Sequence, residues 1–81
     1  PAIRVFPNPS TGMVRLQSPA FSRKDVVIEI VDLDGKMFFK EEMRRSREGE
    51  INIDIGTLAA GLYFVRIYFE NQTIVKKIIK L

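Results

Sequence analysis

The chain has 81 residues, of which 46% are hydrophobic and 28% are charged, and its formal net charge is +3. We expect residues 1–81 to form a single domain, which at this length buries about 60% of the surface that the unfolded chain exposes. The sequence contains no Cys, His or Trp, which excludes disulfides, thiolate nucleophiles, imidazole bases and zinc sites built from Cys and His. The small positive charge does not by itself indicate nucleic acid as a partner.

Short apolar runs separated by turn residues predict β-structure from the start of the chain. A first strand is predicted at residues 3–6 and a second at residues 13–17. Between them, Pro7-Asn8-Pro9-Ser10-Thr11-Gly12 predicts a rigid turn, because each proline fixes φ and Gly12 tolerates a positive φ. Residues 21–24 are predicted to be a linking loop.

A hairpin is predicted in the middle of the chain. Residues 25–32 have the apolar pattern of a strand, and residues 36–40 are predicted to return beside it. Asp34-Gly35 is typical of a two-residue type I′ turn, in which both residues have a positive φ. The returning strand is expected to fray near Glu41-Glu42.

Two further strands are predicted after this hairpin. Isoleucines alternate with polar residues over residues 51–55, which is the pattern of a half-buried strand. A turn at residues 58–61 then leads into residues 62–69. These are apolar on both faces apart from Arg66, which is typical of a central strand covered on both sides.

Residues 73–81, which follow a turn at residues 70–72, predict the final strand. This strand carries Val75, Ile79 and Leu81 on one face and Lys76 and Lys80 on the other. About seven short strands at regular spacing, with no predicted helix, indicate an all-β fold. The sequence therefore predicts a small antiparallel immunoglobulin-like β-sandwich.

No group of residues predicts an enzyme, a cofactor or a metal site. Asp32 and Asp34 lie beside the hairpin, but a calcium loop needs further oxygen ligands, and a turn-forming role is favoured for both. Glu41-Glu42 are adjacent, so on a strand they point apart and do not form a glycosidase pair. The basic cluster Arg44-Arg45-Ser46-Arg47 is flanked by glutamates, which favours a solvated loop over a nucleic-acid interface.

Tyr63 and the lysines of the last strand have more than one interpretation. Tyr63 lies near a corner, where a buried tyrosine of a β-sandwich often bonds back to the backbone. Lys76, Lys77 and Lys80 either discourage pairing between sheet edges or accompany a strand that stays available for a partner strand. The residues alone leave these two alternatives open.

Four sequence motifs follow one another along the chain. They are Val5-Phe6-Pro7-Asn8-Pro9-Ser10-Thr11-Gly12, Val31-Asp32-Leu33-Asp34-Gly35-Lys36, Leu58-Ala59-Ala60-Gly61-Leu62-Tyr63-Phe64-Val65-Arg66-Ile67 and Val75-Lys76-Lys77-Ile78-Ile79-Lys80-Leu81. In this order they resemble the "YPNPxxG" opening, the "DxxG+" hairpin, the "LxxGxYxxxI" segment and the basic-apolar tail of the C-terminal sorting domains of the type IX secretion system. Phe6 stands where Tyr is common in that family.

The resemblance implies that the chain is an address label with no catalytic activity of its own. Such domains follow a cargo in exported proteins of Bacteroidota, pass through the periplasm, and are recognised in folded form by the outer-membrane translocon and its shuttle proteins. A surface sortase commonly cuts before the domain and joins the cargo to anionic lipopolysaccharide. The implied partners are therefore the translocon, the sortase and the cargo of the same precursor, with no cofactor, metal or nucleic acid.

The resemblance also suggests roles for individual residues. Recognition by the translocon is expected from Lys76, Lys77, Ile78, Ile79, Lys80 and Leu81, on a strand whose backbone edge is expected to be open to a receptor or to a second copy of the chain. Fold-determining roles are expected for Pro7, Asn8, Pro9, Gly12, Asp32, Gly35, Leu58, Gly61 and Tyr63.

An adhesion or carbohydrate-binding module of fibronectin-like or immunoglobulin-like fold is the alternative function. Such a module usually exposes aromatic side chains on one face as a platform for sugars. The candidates here are Phe38, Phe64 and Tyr68, and no Trp is present. A purely structural stalk domain is a third interpretation.

Overall fold

The computed structural model describes residues 2–81, which form seven strands and one short 3₁₀ helix. The elements in chain order are β1 (Arg4–Phe6), β2 (Met13–Gln17), the 3₁₀ helix (Pro19–Ser22), β3 (Val26–Asp32), β4 (Met37–Met43), β5 (Glu50–Asp54), β6 (Gly61–Phe69) and β7 (Gln72–Lys80). Within residues 2–81, no helix has the length and apolar character to cross a membrane.

The strands form two antiparallel sheets that pack face to face. The small sheet has the order β1-β2-β5, and the large sheet has the order β4-β3-β6-β7. Alternate residues of each strand point between the sheets, so that Val14, Leu16, Ile53, Ile28 and Val65 form part of one buried core. The predicted all-β, immunoglobulin-like sandwich is confirmed, and so is the alternation of buried isoleucines over residues 51–55.

The link between β2 and β3 contains a helical turn that the sequence prediction missed. Where a loop was predicted from residue 21, the 3₁₀ helix spans Pro19–Ser22. The Ala20 N–H donates to Ser18 Oγ at 3.2 Å, and a proline suits the first turn of a helix because its missing N–H is not needed there. The turn places the Phe21 ring in the core, where 1% of the residue is exposed.

The β3–β4 hairpin differs from the predicted two-residue type I′ turn. The Gly35 N–H donates to the Asp32 carbonyl and the Asp32 N–H donates to the Lys36 carbonyl. This pattern describes a three-residue loop in which Gly35 has a φ of 81°, whereas Asp34 has no positive φ. One glycine with a positive φ after a turn is the usual form of the three-residue hairpin.

Two predicted features of the large sheet are also corrected. β4 does not fray near Glu41-Glu42, because both glutamates pair with β3 and the pairing continues to Met43, opposite Val26. β6 is not covered on both sides: Tyr63, Val65, Ile67 and Phe69 face the core, while the alternating residues between them are half-buried on the outer face of the sheet.

Candidate functional site

The side chains of the last strand are divided between the two faces of the large sheet. Ile74 and Ile78 point into the core, and Ile78 is 1% exposed. The next residues along, Val75 and Ile79, point to the outer face and are 53% and 38% exposed. Lys76 pairs with the buried Val65, so it lies on the core-facing side at the rim. The predicted recognition residues thus do not form one surface.

The exposed residues of β7 continue into an apolar region of β6. Leu62 pairs with Ile79, Phe64 pairs with Lys77, and Arg66 pairs with Val75. We call the set formed by Leu62, Phe64, Val75, Lys77 and Ile79 the outer patch. Lys77 is exposed, and within residues 2–81 it has no carboxylate close enough for an ion pair.

The outer patch extends toward β4 and toward the end of the chain. Val31 of β3 pairs with Phe64, and Met37 of β4 pairs with Val31. Met37 and Leu81 are both exposed. An apolar outer face of this kind differs from the polar outer face that an antiparallel sheet exposed to solvent usually has.

The centre of the large sheet's outer face holds a buried carboxylate. Glu29 accepts a 2.7 Å hydrogen bond from the Tyr68 hydroxyl and lies 3.7 Å from Lys40 Nζ. Arg66 Nε is 3.2 Å from Glu29 Oε1 but makes no hydrogen bond within residues 2–81, so the pair is ionic. The hydrogen bond to Glu29, with some desolvation by burial, raises the pKa of Tyr68 above its ordinary value of 10.0. The Glu29 carboxylate is therefore already paired with groups of the domain itself.

The backbone edge of β7 is occupied by the first turn of the chain. Asn8 Nδ2 donates to the Lys77 carbonyl at 2.8 Å, and the Ile79 N–H donates to Asn8 Oδ1 at 2.9 Å. The Ser10 N–H donates to the Ile79 carbonyl, and the Leu81 N–H donates to the Ser10 carbonyl, both at 2.9 Å. We call this set of bonds the Asn8 clamp. The expected open edge near the end of the chain is therefore wrong for residues 77–81.

The prolines that flank Asn8 are part of the same turn. The Phe6-Pro7 and Asn8-Pro9 peptide bonds are both cis. Gly12 tolerates a positive φ but does not have one, and a Cβ at this residue would meet no atom within 4 Å. Its expected role through backbone conformation is not supported.

Other residues of the motifs hold turns and corners. The Tyr63 hydroxyl donates to the Ala59 carbonyl at 2.6 Å, which confirms the expected bond from a corner tyrosine to the backbone. Leu58 packs against the core. Asp32 Oδ1 accepts the N–H groups of Asp34 and Lys36, each at 2.9 Å, so the carboxylate closes the hairpin.

Gly49 is a constrained residue that the motifs did not indicate. Its φ is 66°, and a Cβ there would lie 2.8 Å from the Ser18 carbonyl oxygen. The Ser18 N–H also donates to the Gly49 carbonyl at 2.9 Å. A glycine before the alternating strand was visible in the sequence, but its contact with Ser18 depends on the pairing of β2 with β5.

Among residues 2–81, the side chains considered for metal binding and for sugar binding are not brought together into a site. No three acidic side chains come together in a group that could hold a metal ion. Phe64 and Tyr68 lie on the outer face of the large sheet, whereas the Phe38 ring packs edge-on against Tyr63 at 5.6 Å between centroids. The three candidate aromatics therefore do not form a single platform.

The arrangement of the two sheets defines the class of protein as an immunoglobulin-like β-sandwich. A crystal structure of a DUF3244 family protein from Bacteroides vulgatus, described as an immunoglobulin-like β-sandwich, is similar to this chain with a TM-score of 0.79. It is 21% identical, and the match covers 98% of this chain and 84% of that chain. At this identity the similarity establishes the fold alone. No curated protein sequence matches the chain significantly.

The family is established by sequence. A family model described as "Secretion system C-terminal sorting domain" matches residues 4–81, and the chain belongs to this family of type IX sorting signals. Membership implies export to the cell surface or beyond, interaction with the secretion machinery, and attachment to a cargo in the precursor. It indicates a role as a signal rather than as a catalyst.

Proposed function

We propose that this domain directs an attached cargo protein from the periplasm through the outer membrane by type IX secretion. At the cell surface a sortase then cuts before the domain and attaches the cargo. The observation that carries the proposal is the family match over residues 4–81. The buried core, which contains no disulfide, supports it, because a label that is read in folded form has to fold with whichever cargo precedes it.

The proposed contact with the translocon and its shuttle proteins lies within the end of the chain, over Lys76, Lys77, Ile78, Ile79, Lys80 and Leu81, although Ile78 is in the core and not every side chain of this segment takes part. Its support is that most of these residues are exposed or half-exposed on a strand at the edge of the large sheet. Because the Asn8 clamp occupies residues 77–81 of that edge, recognition uses side chains there rather than an added partner strand. A dimer through β7 would be restricted to the edge around residues 73–75.

The test is an export assay in a host that has a working type IX translocon. A signal peptide and a fluorescent protein are fused ahead of the 81-residue chain, and the fluorescence at the cell surface and in the medium is measured. We expect export in this host, no export in the same host without the translocon, and no export of a fusion that lacks residues 78–81. Retention of the folded fusion in the periplasm of the competent host would overturn the proposal.

The deletion also removes Ile78 from the core, so it needs a control for folding. Lys80→Ala changes the same segment without removing buried apolar surface, since Lys80 is half-exposed. Thermal unfolding of the purified chain, followed by circular dichroism, separates loss of fold from loss of recognition. A truncated chain that still folds and is still exported would remove residues 78–81 from the contact.

A further inference from the structure

The end of the chain presents two unlike surfaces, and the structure allows us to choose between them. Side chains at residues 77 and 79 lie on the outer face of the large sheet, while those at 76, 78 and 80 lie on its core-facing side. Ile78 is fully covered, so in the folded domain it holds the strand in place and cannot contact a partner.

We propose that the translocon reads the outer patch, through a surface that is apolar and carries an acidic side chain opposite Lys77. This inference rests on the proposed function and names the face that performs it. The partner would cover Leu62 and Phe64 of β6 together with Val75 and Ile79 of the neighbouring strand β7. Exposed apolar residues that adjoin one another on a single face are typical of interaction sites.

The charge of the outer face indicates the acidic group on the partner. Lys40 and Arg66 each lie within ion-pair distance of the Glu29 carboxylate, at 3.7 and 3.2 Å. Lys77 has no such carboxylate among the described residues. Covering an unpaired ammonium group costs free energy unless the partner supplies an opposite charge. The outer patch therefore favours a partner that places a carboxylate at Lys77.

The same charge disfavours a second copy of the chain as the occupant. In a two-fold symmetric dimer the same surface of each copy meets the other. Each Lys77 would then face the other Lys77 or the apolar residues of the outer patch, none of which is acidic. The Asn8 clamp adds a second obstacle at this end of β7, because it occupies the backbone groups that strand pairing would use.

Neighbouring lysines provide a matched pair of variants in the export assay. Lys77→Glu reverses the charge on the outer face, and Lys76→Glu makes the same change one residue earlier on the other face. We expect Lys77→Glu to lower translocon-dependent export by about tenfold or more, whereas Lys76→Glu and Lys77→Arg stay within about twofold of the wild type. Ile79→Ser should lower export in the same direction as Lys77→Glu.

The outcomes separate the two proposals. If the wild-type fusion is not exported through the translocon, the proposed function fails and the inference fails with it. If the wild type is exported and Lys77→Glu is exported equally well, or if Lys76→Glu is the variant that fails, only the inference is overturned. Thermal unfolding of each purified variant shows whether a loss of export is a loss of fold, and Ile79→Ser provides a second measurement on the same face.

A photo-crosslinking amino acid identifies the occupant directly. Placed at residue 79 it faces outward, and placed at residue 80 it lies on the opposite side of the strand. We expect crosslinks from residue 79 to a translocon component in exporting cells, and none from residue 80. A crosslinked homodimer from residue 79, or crosslinks to the translocon only from residue 80, would overturn the assignment.

Discussion

The outer face of the small sheet and the outer face of the large sheet are both open to solvent, yet they are built from different residues. On the small sheet, Gln17 donates to Glu50 at 3.1 Å, Arg4 donates to Gln17 at 3.3 Å, and Arg15 donates to Asn52 at 3.3 Å. These pairs join neighbouring strands with polar side chains. On its outer face the large sheet combines the buried carboxylate of Glu29 and its charged neighbours Lys40 and Arg66 with the apolar side chains of the outer patch.

The two outer faces differ in how well water solvates their exposed side chains. Polar pairs across strands contribute little to stability and need no partner. Exposed apolar side chains are not required by the core, which is already closed by the inward residues of the same strands. The exposed apolar residues on the large sheet's outer face, Val75 and Ile79 among them, are therefore ones that the core does not need, and this is the face on which we expect recognition.

The largest expected effect comes from removing the carboxylate at the centre of the large sheet. Glu29→Ala leaves the Tyr68 hydroxyl without its acceptor and the Arg66 guanidinium without its counter-ion, and we expect it to lower the free energy of unfolding by about 3 kcal/mol. Urea unfolding measures the loss. Glu50→Ala on the small sheet is the matched change, and we expect it to cost less than about 1 kcal/mol. Equal costs for the two variants would contradict the contrast between the faces.

A second variant strains the large sheet without altering either outer face. Gly61, the first residue of β6, has a φ of 154° with no atom within 4 Å of an added Cβ. A valine there has enough space but an unfavourable backbone conformation, so Gly61→Val is expected to cost about 2 kcal/mol. Thermal unfolding gives the measurement, with Gly12→Val as the control in which φ is not positive. An unchanged melting temperature for Gly61→Val would remove the backbone argument.

The hydrogen bond between Tyr68 and Glu29 makes the large sheet sensitive to high pH. The folded-state pKa of Tyr68 is raised above the ordinary 10.0, so its protonated form is favoured by folding. The stabilisation is complete below pH 10 and is lost as the pH rises through the folded-state pKa. We expect the melting temperature of the wild type to exceed that of Tyr68→Phe at about pH 8, and the difference to shrink toward about pH 11. If the difference in melting temperature stayed constant over this pH range, the Tyr68 hydroxyl would not be the source of the stabilisation.

The smallest effect is expected on the small sheet. Arg15 lies 3.7 Å from Glu50 and its side chain is 49% exposed, so Arg15→Ala should change the free energy of unfolding by about 0.5 kcal/mol or less. Its export in the fusion assay should match that of the wild type. A loss of export by a stable Arg15→Ala variant would indicate that recognition involves the small sheet, which would contradict the comparison.

The strands could be predicted from the sequence wherever one face is apolar and the other polar. Over residues 51–55 the alternation leaves one register for burial, and the structure has it. In β7 both sets of alternating residues contain apolar side chains, Ile74 and Ile78 in one and Val75 and Ile79 in the other. Periodicity shows that these sets are on opposite faces, but it does not show which set is inside.

The remaining features depend on contacts between distant parts of the chain. Asp34-Gly35 is compatible with two loop lengths, and the bonds from Asp32 select the three-residue form. The ion pairs of Glu29 require β4 and β6 to lie on either side of β3. Nothing local to Phe21 shows that its ring reaches the core. Such contacts are set by packing, for which one sequence carries no direct signal.

Because of the Asn8 clamp, the shape of the last strand depends on the first turn of the chain as well as on the final residues. Its side-chain bonds join residues that are 69 and 71 positions apart in the sequence. A nascent, nicked or misfolded domain would lack one half of this closure, and we expect its last strand to lose the fixed shape that a receptor reads. Export would then select for domains that have folded completely. Amide hydrogen exchange at Ile79 and Leu81 would report whether the Asn8 clamp has formed.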